Sequence, residues 1–80
     1  MKKMTCRELG GACDMEFTTT TFEEMVAQSK AHGTEMFIQK DADHLAAMEK
    51  MQLLMQSPTE LQKWFGEKRK AFEALPNLEQ

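Results

Sequence analysis

Thr5-Cys6-Arg7-Glu8-Leu9-Gly10-Gly11-Ala12-Cys13-Asp14 is the stretch on which the fold turns. It holds both cysteines and two of the four glycines, between two short alternating runs. In residues 4–8, Met4 and Cys6 fall on one side and Thr5 and Arg7 on the other. In residues 13–17, Cys13, Met15 and Phe17 face one way, Asp14 and Glu16 the other. A period of two is that of half-buried strands. Leu9-Gly10-Gly11-Ala12 between them reads as the turn, since glycine tolerates the positive φ that tight hairpins use. The pattern predicts a β-hairpin with Cys6 and Cys13 on a shared inner face. Two strands are not stable by themselves, so a helix must cover that face.

That helix follows at once. Thr21-Phe22-Glu23-Glu24 is a capping box, in which hydroxyl and carboxylate satisfy each other's free backbone donors. Phe22, Met25, Val26 and Ser29 start an apolar stripe that resumes at Met36 and Phe37. Either Gly33 ends the helix at His32 or one longer helix runs through it at a cost of about 1 kcal/mol, and the stripe, which keeps phase across Gly33, favours the continuous helix. A polar link over residues 39–43 offers Asp41 or Asp43 as the next N-cap. Residues 44–56 form a second helix, with Leu45, Met48, Met51 or Gln52, and Met55 on its buried side. Ser57-Pro58-Thr59-Glu60 joins an N-cap serine, a proline at the first helical position and a glutamate three residues after the cap. The third helix carries Leu61, Trp64, Phe65, Phe72 and Leu75 as its stripe, and Pro76 stops it. The fold class predicted is α+β: a two-stranded hairpin packed on a helix (residues 4–38), then an antiparallel helical pair (41–76), in a single small domain spanning residues 1–80.

Composition narrows the functions. The net charge of −3 argues against a nucleic-acid module, which carries a basic face. Lys68-Arg69-Lys70, flanked by Glu67 and Glu73, reads as a solvated helix end. No run suits a secretory signal or a bilayer span, so the expectation is a cytoplasmic protein without membrane contact. In that compartment two cysteines are thiols or metal ligands rather than a permanent disulfide. A core of this size gains from a metal, a crosslink or a partner chain. There is no serine–histidine–carboxylate pattern, phosphate loop or HExxH motif, and no enzyme is expected.

Three readings of the cysteines compete: buried apolar residues, a redox pair, or metal ligands. The third needs two more donors. His32 on the first helix and His44 at the start of the second would complete a tetrahedral Cys2His2 zinc site with Cys6 and Cys13. Glu35 and Met36 lie on the same helix face as His32 and are substitute ligands. Eight methionines in eighty residues are the other oddity. Met48, Met51 and Met55 form a helical stripe that reads as core, as a pliable interaction surface, or as thioethers suited to copper(I).

The block Cys6-Arg7-Glu8-Leu9-Gly10-Gly11, then Cys13-Asp14 and Phe17, then an acidic-capped helix with His32, resembles the domain-of-unknown-function 1059 family. These short prokaryotic domains are described as predicted small metal-binding proteins. The resemblance covers about the first half of the chain, and it implies a metal held by the positions matching Cys6, Cys13 and His32. Where shorter members carry a second histidine within about a turn, this chain has Glu35-Met36-Phe37, and His44 is the best fourth ligand. The leading expectation is a small zinc-binding domain. The alternatives are a metal-free interaction module, with an unknown protein partner or as a homo-oligomer, and a thiol redox sensor.

Overall fold

The computed structural model describes residues 1–78. Among these, strands β1 (Lys2–Thr5) and β2 (Glu16–Thr19) precede helices α1 (Phe22–Ile38), α2 (Ala42–Met55) and α3 (Pro58–Ala74). The α+β class predicted from the sequence is the one observed. The strands pair antiparallel, with Met4 opposite Phe17 and Thr5 opposite Glu16. Met4, Phe17 and Thr19 are buried on the inner face, against Phe22 and Met25 of α1 and Phe72 of α3.

The hairpin differs from the sequence reading. The strands lie further out than residues 4–8 and 13–17, and Leu9-Gly10-Gly11-Ala12 is not a tight turn. Cys6 leaves the ladder with φ −52° and ψ −44° and caps a turn of 3₁₀ helix over Arg7–Leu9. Its carbonyl accepts hydrogen bonds from the N–H of Leu9 at 3.1 Å and of Gly11 at 2.8 Å. The Cys6 N–H donates to the Met15 carbonyl at 2.8 Å and the Arg7 N–H to that of Cys13 at 2.9 Å. The backbone donors that a longer ladder would use are thus spent inside the loop. The cysteines therefore sit at the neck of a closed loop rather than on a strand face. Met15, expected to point inward with Phe17, is 51 % exposed.

Helix boundaries follow the sequence signals. The capping box at Thr21 and Glu24 is formed, and α1 runs unbroken through Gly33. At its end, the Lys40 N–H donates to the Phe37 carbonyl and the Asp41 N–H to that of Met36, both at 3.1 Å. With Lys40 at φ 57°, this is a Schellman termination in which a lysine takes the left-handed position usually given to glycine. It reverses the chain within two residues and makes Asp41 the N-cap of α2, accepting from the His44 N–H at 3.1 Å. Ser57 caps α3 with Pro58 in its first turn. Leu75 is extended before Pro76, as proline demands of the residue preceding it. The α3 end returns to the sheet: Lys2 Nζ donates to the Glu73 carbonyl at 2.8 Å, and Phe72 meets Phe22 edge-on at 5.8 Å. Within the basic cluster, Arg69 pairs with Glu23 at 2.6 Å.

The apolar stripes of α2 and α3 are less covered than their spacing suggests. Among the described residues, α2 buries His44 and α3 buries Phe72. Met48, Met51 and Trp64 are half-buried, while Met55, Phe65 and Phe37 are exposed. The side of α2 expected to be buried is therefore only partly covered among the described residues, with Gln52 and Met55 exposed, and on α3 the stripe is buried at Phe72 but exposed at Phe65.

Candidate metal centre

The four side chains singled out in the sequence converge. One donor atom from each of Cys6, Cys13, His32 and His44 lies within 4.8 Å of the other three. Cys13 Sγ is 3.2 Å from His32 Nε2, and Cys6 Sγ is 3.6 Å from His44 Nε2. The imidazoles meet edge to face, with ring centroids 5.2 Å apart. Three of the residues are buried and Cys13 is half-buried. Two sulfurs and two imidazole nitrogens at this spacing are compatible with a metal ion such as zinc. With Zn–S near 2.3 Å and Zn–N near 2.0–2.1 Å, the edges of a tetrahedron are roughly 3.3–3.8 Å. Both of these sulfur–nitrogen distances lie at or near that range.

Each donor is placed by a local feature. His32 falls on the stripe of Phe22 and Met25, one heptad after Met25, so α1 turns it toward the sheet. There it stacks edge-on against Phe17 at 5.6 Å. Its place in phase with the apolar stripe was the available sequence signal, although a lone histidine is more often a surface or capping residue than a ligand. His44 arrives through the Lys40 reversal, which lays α2 back along α1. The four donors thus come from the cysteine loop, α1 and the start of α2, and Glu35 is not part of the cluster.

Asp41 has a role that the sequence reading missed. Besides capping α2, its Oδ2 accepts from His44 Nδ1 at 2.6 Å. This hydrogen bond fixes the imidazole so that Nε2 faces the cysteines, the arrangement in which a carboxylate orients a metal-bound histidine. An N-cap aspartate three residues before a candidate histidine was the available signal. The bond raises the His44 pKa above its ordinary value and lowers that of Asp41.

The thiols are unequal. Burial pushes the Cys6 thiol up, and the backbone N–H groups of Cys13 and Ala12 only partly offset this. For Cys13, burial also acts upward, but the Met15 N–H and the nearby His44 and Cys6 side chains outweigh it and lower the pKa. Backbone donors aimed at both sulfurs favour thiolates, the form in which cysteine ligates a metal.

Gly10 and Gly11 shape the loop for different reasons. Gly10 takes φ 92°, where other L residues are strained. A Cβ at Gly11 would sit 2.2 Å from Cys6 Sγ and 3.0 Å from the Cys6 carbonyl oxygen. Gly11 is the clearance that lets the loop close over the first thiol.

Replacing Asp41 by asparagine isolates the role of its charge. Asparagine caps a helix about as well as aspartate, so α2 should persist. Zinc affinity, measured by competition with a chromophoric chelator, is expected to fall about 10- to 100-fold, as for other outer-sphere partners. An unchanged affinity would show that the carboxylate does not tune the site.

No known protein family, curated protein or solved structure matches this chain.

Proposed function

We propose that the protein is a small zinc-binding domain in which Cys6, Cys13, His32 and His44 are the four ligands and the metal is structural. The observation carrying this reading is the convergence of four zinc-type donors within 4.8 Å, drawn from the loop, α1 and α2. Four protein ligands leave no coordination position for substrate, which is the mark of a structural rather than a catalytic zinc. The role of the ion follows from what it joins. The cysteine loop, α1 and α2 share few buried apolar side chains, and a metal ligated by all three would hold them in one arrangement. The mixed sulfur–nitrogen donor set favours zinc over the hard cations, which prefer oxygen. This reading accords with the metal-binding property implied by the sequence resemblance to the domain-of-unknown-function 1059 family, with His44 serving as the second histidine.

The test is metal analysis of protein purified under reducing conditions, followed by chelation. The expected result is close to one equivalent of zinc per chain and a cooperative melt shifted well downward in chelator. Less than about a tenth of an equivalent of zinc or iron, with folding unchanged by chelator, would overturn the proposal. The cysteines would then be core residues.

A further inference from the structure

Cys13 differs from the other three donors in being reachable from solvent. It is half-buried where Cys6, His32 and His44 are buried, and the two residues that follow it, Asp14 and Met15, are exposed. Cys6 lies beside it. The two sulfurs are within 4.8 Å of each other, both are free thiols, and the Cys6 sulfur accepts a hydrogen bond from the Cys13 N–H. The neck that holds the pair together is made of backbone. The Cys6 N–H donates to the Met15 carbonyl at 2.8 Å and the Arg7 N–H to that of Cys13 at 2.9 Å. Arg7 also clasps the exposed edge of the loop, donating from Nε to Asp14 Oδ1 at 3.1 Å and from Nη2 to the Ala12 carbonyl at 3.4 Å. These bonds keep the sulfurs adjacent without a metal, whereas His32 and His44 stand on separate helices.

We propose that Cys13 is a modification site for peroxide, that Cys6 is its resolving thiol, and that the disulfide they form ejects the zinc. The zinc release rests on the metal function proposed above; the disulfide does not. In the first step the Cys13 thiolate attacks one oxygen of hydrogen peroxide. The S–O bond forms, the O–O bond breaks and hydroxide leaves, so Cys13 becomes a sulfenic acid. In the second step the Cys6 thiolate attacks the Cys13 sulfur. The S–S bond forms, the S–O bond breaks and a second hydroxide leaves. The two thiolates lose two electrons in all, and one peroxide takes them up. Burial sets the order of events: Cys6 is 4 % exposed, so peroxide meets Cys13 first. Because the neck already holds the sulfurs side by side, the second step is intramolecular and outruns further oxidation to sulfinic acid. Thiolates ligate zinc and a disulfide does not, so two of the four donors are lost together. The ion that joined the loop to α1 and α2 is then released.

Hydrogen peroxide, equimolar with the chain, is added to the zinc-loaded protein to test this. Zinc release is followed with a chromophoric chelator too weak to strip the reduced form, and the same samples are taken for intact mass and peptide mapping. The expected result is one zinc released for each chain that becomes two hydrogens lighter, with a crosslink joining Cys6 to Cys13 and recovery of zinc binding after reduction by a dithiol. Methionine sulfoxide adds an oxygen and is told apart by mass. In Cys6→Ser, Cys13 should accumulate as sulfenic acid and be captured by dimedone, whereas Cys13→Ser should leave the buried Cys6 scarcely labelled. Equal labelling of the two variants, each with wild-type helical circular dichroism, overturns the inference. So does zinc-loaded wild type that keeps its reduced mass in peroxide, that retains zinc when crosslinked, or that loses zinc through sulfinic acid or an interchain disulfide; each of these leaves the metal function in place. A chain purified without zinc that still forms the Cys6–Cys13 crosslink upholds the modification site while removing the proposed metal function.

Discussion

Cys6→Ser and His44→Ala are each expected to abolish the stabilisation that zinc gives the fold. Cys6 lies between the hairpin and α2, and its sulfur faces the Nε2 of His44 at 3.6 Å. Loss of either donor leaves three ligands and an open coordination position, so the affinity should drop by more than the roughly 10- to 100-fold that an outer-sphere partner costs. On the proposed function, zinc at about a thousand times its dissociation constant would contribute about 4 kcal/mol to folding of the wild type. For a chain of this length that is on the order of 15–30 °C in melting temperature. Thermal melts with zinc and with chelator should therefore differ widely for wild type and scarcely at all for either variant. The chelated wild type and chelated Cys6→Ser should melt close together, because serine nearly preserves the volume at a buried position. A zinc-dependent shift of wild-type size in either variant would remove that residue from the ligand set.

The second large effect is expected at Gly11. In Gly11→Ala the new methyl meets Cys6 Sγ at 2.2 Å, and behind it is backbone rather than a flexible side chain. Either the thiol rotates out of the site or the loop opens and gives up the hydrogen bond from the Gly11 N–H to the Cys6 carbonyl. Overpacking of this kind costs about 1–3 kcal/mol, and here it also displaces a ligand. Gly10→Ala is the control. Its φ of 92° and the contacts its Cβ would make with Trp64 at 3.2 Å and Met51 at 3.3 Å predict a loss of stability. It points away from the sulfurs and should retain zinc stoichiometry. Equal zinc binding by both variants would refute the role assigned to Gly11.

These two glycines also show how far the sequence could be read. As a pair they look like a hairpin turn, and the turn chemistry at Gly10 is present. Nothing in the one-dimensional pattern indicates that Gly11 is small because a thiol from five residues earlier folds over it. The same limit explains the strands. Alternation at Met4, Cys6, Cys13 and Phe17 is compatible with a long hairpin, but the Cys6 carbonyl takes two loop donors and the ladder ends at Thr5 and Glu16. The helices were more legible because their ends are chemically marked: the Thr21–Glu24 box, Asp41, and Ser57-Pro58. The Schellman reversal was not marked, since Lys40 occupies the left-handed position where glycine would have announced it.

The cluster of candidate ligands was legible because cysteine and histidine are scarce here, with two of each. Scarcity leaves few combinations, and the capped start of α2 placed His44 near a helix N-terminus. Its second partner, the Asp41 carboxylate, was hidden by an adequate simpler explanation as a cap. The methionine stripe was harder. Spacing alone cannot tell a covered face from one awaiting cover, and Met48, Met51 and Met55 line a groove instead of a closed core.

The visible absorption spectrum of the protein titrated with cobalt(II) under reducing conditions tests the metal site most directly, because band intensity reports coordination number and charge-transfer bands report thiolate ligation. The expected result is intense tetrahedral d–d bands with sulfur-to-metal charge transfer, saturating at one equivalent per chain and bleached by zinc. Weak octahedral bands, or none beyond those of free cobalt(II), would contradict a site built from Cys6, Cys13, His32 and His44.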